Sequence, residues 1–94
     1  MLCERGRNRY EIKKCNYQIE ICNRNIRDIN IAIVNFKVNF KMASYFSKND
    51  DEKDDLNIMD NMVEILDDYN KEIEENRECI RLCELRKEQI GNNI

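Results

Sequence analysis

Four of the five cysteines fall into two pairs: Cys15 and Cys22 seven residues apart, Cys79 and Cys83 four apart. These are the residues in the chain best suited to chemistry, because a thiolate is both a nucleophile and a soft metal ligand. Residues four or seven apart share one face of a helix, so two such helices laid together would gather the thiols on one line. The segments CNYQIEIC and CIRLC nevertheless contain no CxxC hook of the kind that holds structural zinc, and they do not form a matched twin motif. The count is odd and the charged start, Met1 to Lys14, is not expected to act as a secretory leader, so reduced thiols are expected rather than a disulfide framework. A single bridge, Cys22 to Cys79, stays open on geometry.

Other chemistry has little to work with. Histidine is absent, which removes the commonest general base and metal ligand. Serine occurs twice and threonine never, and there is no glycine-rich phosphate loop. Asp50, Asp51, Asp54 and Asp55 carry the charge of a calcium loop. They lack its glycine at the sixth position and its glutamate at the twelfth. No enzyme, no cofactor and no metal site are expected.

The elements that would position these residues read as helices. Proline is absent and glycine occurs twice, so little interrupts a helix. One apolar stripe runs at 3–4 spacing through Ile12, Cys15, Ile19, Cys22, Ile26, Ile29, Ile33, Phe36, Phe40 and Ala43. A second runs through Met59, Met62, Leu66, Tyr69, Ile73, Asn76, Ile80, Cys83, Lys87 and Ile90, broken only by Asn76 and Lys87. This is the heptad seam of a coiled coil. Between the stripes lies the polar segment SKNDDEKDD, suited to a turn and a helix N-cap.

The expected fold is all-α: one domain over residues 1–94, a long antiparallel two-helix hairpin. Helix one spans about 8–46, the loop about 47–54, and helix two about 55–90, ending at Gly91 as a helix-stop glycine. In a hairpin, facing residues have a constant number sum. The stripes give 102, pairing Phe40 with Met62, Phe36 with Leu66, Ile29 with Ile73 and Ile12 with Ile90. That register leaves Cys79 one residue from the level of Cys22, about 1.5 Å along the axis. It leaves Cys83 four residues from the level of Cys15, too far for a disulfide. One segment, INIAIVNFKVNFKM over residues 29–42, alternates apolar and polar residues as a strand does. Helix is preferred there because a lone strand would have no partner for its backbone groups.

Net charge is −3, but unevenly spread. Residues 1–47 hold nine basic and four acidic residues, net +5. Residues 48–94 hold seven and fifteen, net −8. Opposite charge on the two halves favours their pairing. Folding would collect Arg5, Arg7, Arg9, Lys13 and Lys14 with Arg77, Arg81, Arg86 and Lys87 at the open end. Glutamates are interspersed there, so nucleic acid is not the expected partner. No apolar run approaches the roughly 20 residues of a membrane span, and a cytoplasmic location is expected, or a host cytoplasm if the source is viral. Fourteen Asn and thirteen Ile suggest AT-rich coding, hence a low-GC genome.

A third apolar line carries the functional expectation. Tyr10, Tyr17, Ile31, Val38 and Tyr45 recur at multiples of seven on the side of helix one away from the seam, interrupted by Arg24 and flanked by Ile21, Val34 and Met42. On helix two, Leu56, Ile58, Val63 and Ile65 also lie off the seam. Exposed apolar stripes of this extent mark interfaces. The expected interface residues are Tyr17, Ile31, Val34, Val38, Met42, Tyr45, Leu56 and Val63. The expected function is a non-enzymatic protein–protein interaction or assembly module, a homodimer forming a four-helix bundle or a subunit of a larger complex. Two rivals use other features. A small acidic inhibitor from a phage, virus or mobile element would use the acid-rich Asp50–Asp68 surface and bind in a salt-sensitive way. A thiol redox or metal module would use Cys22, Cys79 and Cys83.

Overall fold

In a computed structural model the chain forms two helices, α1 (Glu4–Phe46) and α2 (Glu52–Asn92), with no strand among the described residues. The structure describes the backbone of residues 4–46 and 52–92, and the side chains of residues 5–45 and 59–92. The helices run antiparallel and in contact along a rod of 70 × 20 × 16 Å. At 1.5 Å per residue each helix is about 60–65 Å long, so they overlap along nearly their whole length.

Both helices extend past their expected bounds. Helix α1 starts at Glu4 rather than about residue 8, and α2 starts at Glu52, taking three residues from the expected loop. Residues 47–51, the first part of the polar segment expected to hold the turn and the cap of α2, lie outside the described residues. At the other end α2 runs through Gly91 to Asn92, and Gly91 has no positive φ. It is therefore not the expected left-handed stop; a glycine caps a helix only when the backbone turns left-handed there. Residues 29–42 are helical throughout.

The seam is where the sequence places it. Cys22, Ile29, Ile73 and Ile90 are buried, at 2–7% exposure, and Ile12, Cys15, Ile19, Ile26, Ile33, Phe36 and Phe40 are half-buried. On α2 the half-buried seam positions are Met62, Leu66, Tyr69, Asn76, Ile80, Cys83 and Lys87, and Cys79 beside the seam is half-buried too. Ala43 and Met59, at the tip-proximal end, are exposed. Asn76 fits the seam by donating its amide to the Glu72 carbonyl at 2.8 Å and accepting from the Asn25 amide across the helices at 3.2 Å.

Charge does not pair the halves as expected. Four of the five ion pairs among the described residues lie within one helix: Glu20–Arg24, Glu74–Arg77, Glu78–Arg81 and Glu84–Lys87. The one interhelical pair, Glu11–Arg86 at 2.6 Å, sets an acid of the basic half against a base of the acidic half. The reason lies in the residues flanking the α1 seam. Asn16, Asn23 and Asn30 on one side and Gln18, Asn25 and Asn39 on the other carry no charge, which leaves Glu11 and Lys37 as the charged flanks along the stripe, and Glu11 makes the interhelical pair. The apolar seam sets the pairing, and the charges settle at i, i+3 or i, i+4 on their own helix.

Candidate functional site: an outward apolar face and a line of thiols

The heptad that turns Ile29, Ile33, Phe36 and Phe40 toward α2 turns residues 31, 38 and 45 directly away from it. There Tyr17, Ile31, Val34, Val38, Met42 and Tyr45 are 50–66% exposed, as are Tyr10 and, on α2, Val63. Leu56 belongs to α2, in the stretch whose side chains lie outside the described residues. The fold gathers Ile31, Val34, Val38, Met42 and Tyr45 into one strip over four turns. Tyr17 and Tyr10 continue that line beyond Arg24, and the Lys14 ammonium lies 5.7 Å from the Tyr10 ring centre. Val63 and Ile65 are not on the strip; they flank the α2 seam on its two sides. A shallow open hollow at the strip's end is lined by Asn30, Ile31, Val34 and Asn35.

Leu82 and Leu85, 51% and 43% exposed, also face outward on α2. They were not among the expected interface residues. Their signal is in RLCELRK, where two leucines fall outside the seam positions Ile80, Cys83 and Lys87.

The thiols lie along the seam. Cys15, Cys22, Cys79 and Cys83 are all free. Cys22 accepts from the Gln18 amide at 3.7 Å and has Cys79 as its thiol neighbour across the helices. Cys79 and Cys15 lie near enough to Cys83 to influence its thiol. The cross-helix hydrogen bond Asn25–Asn76 sums to 101, within one residue of the expected register. Burial pushes the Cys22 and Cys83 thiols above their ordinary value; the neighbouring Cys79 adds to the shift at Cys22 and Cys15 adds to it at Cys83. Such thiols are weak nucleophiles. Among the described residues no three Cys, Asp or Glu side chains converge closely enough to hold a metal ion. The line of thiols is spread along the axis instead of around a point.

At the open end the basic groups of α2 are engaged. Arg77, Arg81, Arg86 and Lys87 each lie within 4.0 Å of a glutamate oxygen. The pairing with Glu78 holds the Arg81 guanidinium above its usual range and the Glu78 carboxyl below it. Among the described residues no helix is long and apolar enough to cross a membrane.

No family model, curated protein or solved structure matches the chain.

Proposed function

We propose that the chain is a non-enzymatic assembly module that binds protein through the outward face of α1, and that it forms a homodimer of four helices. The observation that supports this reading is the exposure of Ile31, Val34, Val38 and Met42 at 50–59% on the side of α1 opposite α2. A helix cannot bury two opposite faces against one neighbour. Helix α2 occupies one face, so the other requires a second chain. Removing a large apolar side chain from water is worth roughly 1.5–3 kcal/mol, so four together offset much of the cost of association.

The hairpin's own dimensions support the same reading. Its accessible surface is 7915 Å², against about 5,800 Å² for a compact monomer of its mass. Its radius of gyration is 21.0 Å, against about 12 Å for a compact chain of this length. Among the described residues four buried side chains make a thin core for such a rod, and small helical scaffolds commonly gain stability by oligomerising.

Static light scattering at micromolar concentration is expected to give twice the chain mass. Val38→Glu is expected to return it to the chain mass while far-UV circular dichroism keeps most of its helical signal. A wild-type monomer unaffected by Val38→Glu would refute the proposal.

A further inference from the structure

A hydrogen bond fixes the register near the middle of the rod. The Asn25 amide donates to the Asn76 side-chain oxygen across the helices at 3.2 Å. Cys22 lies three residues before Asn25, and Cys79 three residues after Asn76. Because the helices run antiparallel, both steps lead about 4.5 Å toward the open end. The two thiols therefore come level, and each is the other's neighbour across the helices. They differ in access. Cys22 is 2% exposed and Cys79 is half-buried.

We propose that Cys22 and Cys79 form a reversible disulfide site whose co-reactant is a small-molecule disulfide of the glutathione class, which enters at Cys79 and is displaced by Cys22. The Cys79 thiol loses its proton, and its sulfur attacks one sulfur of glutathione disulfide. That S–S bond breaks, and the first glutathione leaves and takes up the proton. Cys22 then loses its proton and attacks the Cys79 sulfur of the mixed disulfide. The second glutathione leaves with that proton. Two protein thiols are oxidised, and one glutathione disulfide is reduced to two thiols. The order follows from access. A tripeptide disulfide reaches a half-open thiol and not one enclosed by the seam. Once Cys79 carries the mixed disulfide, Cys22 already stands beside it.

The other described thiols fit a bridge less well. Cys79 and Cys83 are one turn apart on α2, where Cβ atoms stand about 5–6 Å apart, and a disulfide needs about 3.5–4.5 Å. Cys15 lies ten residues before Asn25, and Cys83 seven residues after Asn76. They miss a common level by three residues, about 4.5 Å. Combined with the gap across the seam, that offset exceeds the roughly 7 Å Cα limit for a disulfide.

The bridge closes residues 22–79 into a ring that contains the tip and the strip from Ile31 to Tyr45. Closing a loop of about 60 residues removes chain entropy from the unfolded state, and favours the folded form by about a thousandfold. Residues 4–21 and 80–92 stay outside the ring, held by the seam alone. Oxidation thus staples the rod near its middle. The site does not depend on what the outward face binds.

The test treats full-length chain with glutathione disulfide, quenches with acid, and maps tryptic peptides by mass spectrometry. Folded wild type is expected to join peptide 15–24 to peptide 78–81 within one chain. Cys15→Ala is expected to keep that link and Cys22→Ala to lose it. Cys22→Ala is expected instead to hold one glutathione on peptide 78–81, and Cys79→Ala to leave Cys22 unmodified over the same time. Circular dichroism confirms that each variant keeps its helix. A comparison in urea needs no variant: there the selectivity is expected to disappear, with links to peptide 82–86 as well. The urea midpoint of the oxidised chain is expected to rise, and to return when dithiothreitol is added. Linkage of folded wild type to peptide 82–86 in place of 78–81 overturns the proposal. So does the same pattern of links with and without urea, or glutathione on Cys22 in Cys79→Ala. Light scattering, which tests the assembly reading, is read separately.

Discussion

At Cys22 the fold holds a thiol out of water, and the thiol resists ionising as a result. The folded state prefers the neutral form. Its contribution to stability is therefore complete below the ordinary value of 9.0 and is lost as the pH rises through the higher folded value. Melting temperatures are expected to fall above about pH 9, and less steeply in Cys22→Ala, which has no thiol to ionise. Alkylation of Cys22 at neutral pH is expected to be slow until urea unfolds the chain, as mass spectrometry of tryptic peptides would show. Its thiol neighbour across the helices, Cys79, is the nearest bridging partner. Slow oxidation by glutathione disulfide is expected to link Cys22 to Cys79, with each bond releasing two glutathione thiols, and to lower the chain's mass by two hydrogens. Gly91 offers a change of opposite sign. It is helical, and a Cβ there would meet nothing within 4 Å. Gly91→Ala is expected to raise stability by a few tenths to about 1 kcal/mol, read by chemical denaturation.

Helix α1 resembles a strand over residues 29–42 for a reason that the structure makes plain. Two residues advance a helix by about 200°, nearly to its opposite side. Apolar residues at every second position therefore produce two stripes: Ile29, Ile33, Phe36 and Phe40 against α2, and Ile31, Val38 and Met42 facing out. The alternation that suggests a sheet is the mark of a helix with two apolar faces. The seam was readable because its 3–4 spacing persists over nearly the full length of each helix. The helix starts were not, because Glu4 and Glu52 begin in charged sequence with no apolar residue to mark a turn. Two substitutions separate the faces of α1. Phe36→Glu buries a charge in the seam and is expected to unfold the hairpin, with loss of the helical signal in circular dichroism. Val38→Glu, two residues away, is expected to spare that signal and abolish association.

At the scale of the whole molecule, association and folding are linked. Anything that binds the folded form alone raises its apparent stability with concentration, so the melting temperature of the wild type is expected to rise across a tenfold dilution series read from low to high. Val38→Glu should melt at one temperature throughout. Shape has a consequence for how such a particle travels through solution. Its radius of gyration of 21.0 Å is one that a compact protein reaches only at about 380 residues. A single hairpin will therefore diffuse slowly and leave a gel-filtration column far ahead of globular standards of 11.4 kDa. An early elution volume is the signature of a rod, and a monomer of this chain will produce one without any partner.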